Sequence, residues 1–97
     1  MVNFSGQELK TKVRAYLRAA YAEGTLANIR RQVVKFQRFC VEIGDPAIPA
    51  GIQTLLMYVQ SLTEEFASVD TIVNYLQGVK TWHQIEGYGV NNFDHFL

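Results

Sequence analysis

Between Thr25 and Gly44 the apolar residues fall at Leu26, Ile29, Val33, Phe36, Cys40 and Ile43, alternating three- and four-residue steps. At ~100° per residue these six side chains share an arc of about 100°, and Asn28, Arg31, Lys35 and Arg38 share an arc of about 80° on the opposite side. Strand alternation would scatter both sets over two faces, so the segment reads as an amphipathic helix with one core face and one cationic ridge. Thr25 is placed as its N-cap, and Gly44 follows its end as a left-handed stop.

Three further helices are predicted around it. The first opens on a capping box of Ser5 and Glu8, flanked by Phe4 and Leu9 as a hydrophobic staple. It runs to about Ala22, with Gly24 as its stop. Leu9, Val13, Tyr16, Leu17 and Ala20 form its apolar stripe, and Lys10, Arg14 and Arg18 form a separate basic row. Pro46 and Pro49 then enforce a loop. The third helix covers roughly Ala50 to Leu62, with Ile52, Leu55, Leu56, Val59 and Leu62 as its buried face. It carries no charge before Glu64 and reads as internal scaffold.

The fourth helix starts at the N-cap Ser68 and runs to about Glu86, before Gly87. Val69, Ile72, Val73, Leu76, Val79 and His83 share one side. Asn74, Gln77, Gly78 and Thr81 sit opposite, with Thr71 at the margin. Gly78 inside a helix costs about 1 kcal/mol relative to alanine. Either another backbone approaches closely there, or the glycine is merely tolerated on a surface. No strand pattern appears. The expected architecture is all-α: a single-domain bundle of four helices, followed by a tail in which Phe93, Phe96 and Leu97 are apolar.

The balanced charge of the 97 residues hides an asymmetry. Eight of the nine basic residues lie at or before Arg38, against only Glu8 and Glu23; beyond Cys40 only Lys80 opposes seven acids. Such a distribution marks either a face for a polyanion or two complementary halves packed on each other. Nothing points to catalysis or to a cofactor. Neither His83 nor His95 has partners at metal-ligand spacing, so no metal is expected. Cys40 lies in phase with the core of the second helix and reads as an inert buried thiol. No phosphate-cradling glycine loop is present. Phe36, Phe39, Tyr58, Tyr75 and Trp82 fall at helical spacings that read as core. A lone cysteine excludes a disulfide-built domain. The longest apolar runs are far short of the ~20 residues a membrane helix needs. With no signal pattern at Met1-Val2-Asn3-Phe4-Ser5, the expected location is intracellular.

The informative surface is therefore a pair of helix faces. The second helix offers Thr25, Asn28, Arg31, Lys35 and Arg38; the fourth offers Ser68, Thr71, Asn74, Gln77, Lys80 and Thr81. Cations neutralise phosphates, while hydroxyls, amides and helix N-termini position a nucleic-acid backbone or read base edges.

Two stretches add a resemblance. Gly24-Thr25-Leu26-Ala27-Asn28-Ile29-Arg30-Arg31-Gln32-Val33-Val34-Lys35-Phe36-Gln37-Arg38-Phe39-Cys40 combines a capping Thr, a basic helix and paired aromatics in an F-x-x-F pattern. Ser68-Val69-Asp70-Thr71-Ile72-Val73-Asn74-Tyr75-Leu76-Gln77-Gly78-Val79-Lys80-Thr81-Trp82-His83 follows after a Pro loop and a neutral helix. Together, over about residues 7–88, they resemble the core-binding, SAM-like domain of tyrosine recombinases and phage-type integrases. The resemblance implies a domain over residues 1–88 that grips recombination-site duplex DNA as half of a clamp, with residues 89–97 beginning a linker. It also implies, as partners, a catalytic domain of the same protein and other recombinase subunits in a synaptic complex. The family's catalytic Arg, Lys, His-x-x-Arg and Tyr are not matched in these 97 residues, so the expected role is binding without cleavage. The rival reading is a helical protein–protein interaction module whose basic face meets an acidic partner.

Overall fold

A computed structural model describes residues 6–19 and 23–97, with their side chains except at positions 7, 10, 17 and 18. Four α-helices follow one another: α1 (Gly6–Ala19), α2 (Glu23–Ile43), α3 (Ile52–Glu65) and α4 (Val69–Ile85), then a short 3-10 helix at Asn91–His95. No strand occurs among the described residues. None of the described helices is long and apolar enough to cross a membrane.

Helix ends follow local chemistry. Gly44 (φ 75°) and Gly87 (φ 83°) take the left-handed conformation that side chains disfavour. Each closes a Schellman motif: Gly44 N–H donates to the Val41 carbonyl and Asp45 N–H to that of Cys40, and Gly87 and Tyr88 do the same to Gln84 and His83. Ser68 caps α4 by accepting from Thr71 N–H at 3.4 Å. Gly24 departs from expectation. It has no left-handed φ and lies inside α2, as does Thr25, which was expected as the N-cap; Glu23, an acid in the first described turn, complements the helix dipole. The capping box at Ser5, the Phe4 staple, Ala20 and the side chains of Lys10, Leu17 and Arg18 lie outside the described residues.

The core is built where α2, α3 and α4 meet. Phe36, Cys40, Leu55, Tyr58, Leu62, Leu76 and Val79 pack into one cluster. Phe36 meets the Tyr58 ring edge-on, with centroids 4.8 Å apart. Within α3 the predicted face rotates: Thr54 and Tyr58 turn inward, and Ile52 and Leu56 are exposed. Adjacent Leu55 and Leu56 cannot both face the core, and the larger area of Tyr58 settles which side is buried. In α4, Val69 is 71% exposed, while Gly78 and Ile85 are buried against α2. The stripe expected on α1 stays open to solvent at Leu9, Val13 and Tyr16. That helix packs mainly on α4, where Arg14 pairs with Glu86 at 3.2 Å.

The loop between α2 and α3 is pinned from below. Ala50 N–H donates to His83 Nε2 at 2.9 Å, so Nδ1 carries the proton and donates to the Val79 carbonyl, also at 2.9 Å. Asn92 donates to the Ala50 carbonyl at 3.0 Å, and the Thr54 hydroxyl donates to Asp45 at 3.0 Å. The tail expected to begin a linker packs on the core through Phe93, which is 1% exposed.

Candidate nucleic-acid interface

The 3-4 periodicity of α2 turns Val33, Phe36 and Cys40 into the core, and this leaves its polar row beside α4. The α2–α4 pair is the most extensive helix packing in the fold. Gly78 makes it close: a Cβ at that position would sit 2.8 Å from Gln32 Cβ. Neither reading open for Gly78 holds as stated: the glycine is buried, and the group that approaches it is the Gln32 side chain of α2 rather than another backbone.

The result is a shallow groove along the seam. One segment is lined by Thr25, Asn28, Gln32, Asn74, Gln77 and Thr81. The next adds Arg31, Thr71 and Tyr75. It continues into a cationic stretch with Arg30, Lys35 and Arg38. Two helix faces separated by some fifty residues of sequence thus form one surface, polar and uncharged at one end and basic at the other.

Three expected residues are placed differently. Lys35 is engaged within the fold: its ammonium lies 2.6 and 2.8 Å from the two Glu65 carboxylate oxygens and 5.5 Å from the centre of the Phe66 ring. Lys80 does not line the groove: it stands about 120° around α4 from Asn74 and about 100° from Thr81 in projected angle. The Ser68 hydroxyl is occupied as the cap of α4. Arg31 is exposed and hydrogen-bonds Asn28. Arg30, Arg31 and Arg38 form no ion pair with any described residue. The reading of two complementary halves packed on each other therefore holds in part. Arg14 and Lys35 tie the basic part to the acidic part, and the α2 arginines remain open.

Arg30 and Gln32 also line the groove and were not singled out from the pattern. Gln32 was legible: it lies one turn beyond Asn28 and two beyond Thr25 on the same row. Arg30 lies outside the 80° arc of the ridge and enters through the curvature of the surface around Val34 and Tyr75.

The titratable groups of the core do not point to chemistry. Burial, with Asp45 nearby, pushes the Cys40 thiol up to about 11. Burial likewise raises the Tyr58 phenol, with smaller contributions from Tyr75, Glu65 and Cys40. Burial lowers His83, which is held neutral with both ring nitrogens engaged. Among the described residues no group of three or more His, Cys, Asp or Glu could hold a metal ion. No family model, curated protein or solved structure matches the chain.

Proposed function

We propose that this domain binds duplex DNA through the α2–α4 groove, in the manner of the SAM-like core-binding domains its two motif stretches resemble. The observation that carries this reading is the continuity of one surface from the α2 arginines, which form no ion pair with any described residue, to the amides of Asn74 and Gln77. Arginines on a helix row suit phosphate neutralisation, and carboxamides suit base edges. Arg31 and Arg38, with Arg30, take the phosphates. Thr25 and Thr71 sit near helix N-termini, where backbone N–H groups and the dipole favour an anion. Asn74 and Gln77 make the closer contacts. The domain grips DNA and leaves strand cleavage to a catalytic domain, within a synaptic complex of recombinase subunits.

A salt titration tests the reading. Each phosphate neutralised steepens the fall of log K with log salt by about 0.9 for duplex DNA. Arg31→Ala is expected to weaken binding to all sequences alike and to flatten that slope by about one unit. Asn74→Ala is expected to leave the slope nearly unchanged and to cost roughly 1–3 kcal/mol on a preferred duplex. No binding by the wild-type chain at low salt would favour the protein-interaction module instead.

A further inference from the structure

Gln32 sits where the two polar segments of the groove meet. It borders Arg31, Thr71 and Tyr75 on one side and Gln77, Gly78 and Thr81 on the other. Two observations separate it from an ordinary surface glutamine. It is half-buried, and it fits only because residue 78 has no side chain: a Cβ there would collide with Gln32 Cβ and with its carboxamide oxygen. Its carboxamide also makes no hydrogen bond to any described residue. A half-buried amide is thus held in place by packing while no described residue engages it.

A carboxamide offers two N–H donors and an acceptor on one planar group. That is the pattern that matches N7 and N6 of adenine in the major groove. Arg31 and Thr71 flank it as backbone-positioning groups, which would set the register in which such an edge is presented.

We propose that Gln32 is a specificity-determining residue of this groove, positioned by Gly78 to make a bidentate contact with an adenine edge. The proposal rests on the duplex-DNA reading above. Gly78 acts through Gln32 and is a positioning residue.

The experiment starts by selecting preferred duplexes from a randomised duplex pool with the wild-type chain. Wild type, Gln32→Met and Gln32→Glu are then titrated on the selected duplex, on its single-base variants and on a scrambled duplex. Methionine keeps the length and the packing against Gly78 but has no donor. Glutamate keeps the shape and can only accept, which suits the N4 amino group of cytosine. Gln32→Met is expected to lose roughly 5- to 150-fold on the selected duplex, little on the scrambled one, with an unchanged salt slope and thermal midpoint. Gln32→Glu is expected to move the preference at the same base position from adenine toward cytosine, a change that a purely structural role would not produce. If Gln32→Met fails to fold, the Gln32→Glu preference decides alone. A folded variant that keeps the wild-type base preference at every position overturns the proposal and leaves DNA binding standing. So does a wild-type chain that binds duplexes without any base preference. A wild-type chain that binds no duplex at low salt overturns the DNA reading and this proposal together.

Discussion

Phe36 has no exposed surface, and its ring meets Tyr58 edge-on at the junction of three helices. Truncating it leaves a cavity that neighbours on three helices cannot all collapse to fill. Phe36→Ala is expected to cost about 3–5 kcal/mol; urea unfolding checks this, and a loss under 1 kcal/mol would contradict the packing. His83 makes a different kind of commitment. Its Nε2 accepts from Ala50 N–H, so protonation would set a donor against a donor. Burial lowers its folded value below the ordinary 6.5, with the Val79 hydrogen bond opposing in part. The unfolded chain therefore binds the proton first. The stability contributed by neutral His83 is complete above 6.5 and is lost as pH falls from there through the folded value, at no more than about 1.4 kcal/mol per pH unit. Unfolding free energies at pH 7.5 and 5.5 should show this loss, and it should persist in His95→Ala. A flat profile would remove His83 as its source.

At the level of the element, α4 is the helix on which the others are arranged. It carries a side-chain cap at Ser68 and a glycine stop at Gly87. Ser68→Ala removes the acceptor for Thr71 N–H and is expected to destabilise by ~1 kcal/mol. The thermal midpoint reads this, with Ser61→Ala as a serine outside any cap. The α2 stop at Gly44 and the α4 cap and stop at Ser68 and Gly87 were legible, because a Schellman glycine or an N-cap serine acts within one turn; the cap expected at Thr25 was not, since that residue lies inside α2. Gly24 was not. Its role as stop or interior residue depends on how far α2 extends on its N-terminal side, which one local glycine does not fix. The buried face of α3 was also misread, since 3-4 spacing alone accepts Ile52 and Leu56 as readily as Thr54 and Tyr58.

At the scale of the whole molecule, the basic part divides between internal ties and an open surface. Lys35 shares its charge with Glu65, whereas Arg31 and Arg38 have no acidic partner among the described residues. In the proposed DNA complex Lys35→Ala should flatten the salt slope by less than Arg31→Ala or Arg38→Ala does. Equal effects would mean that Lys35 leaves Glu65 on binding. The domain alone is expected to form no covalent adduct with a recombination-type duplex. Trapping one on denaturing gels would overturn the assignment of cleavage to another domain.

The sequence by itself determined that α2 is amphipathic, that Val33, Phe36 and Cys40 turn inward, and that its opposite ridge is cationic. Those are consequences of spacing along one helix, and spacing is written in the chain. Leu26, Ile29 and Ile43, expected in the same core face, are only partly buried. Only the tertiary structure decided that the α2 ridge lies against the Asn74 and Gln77 face of α4, that Gly78 admits Gln32 between them, and that Lys35 turns to Glu65. These depend on the separation and rotation of two packed helices. That geometry is set by the summed fit of side chains from α2, α3 and α4, which no single periodicity encodes.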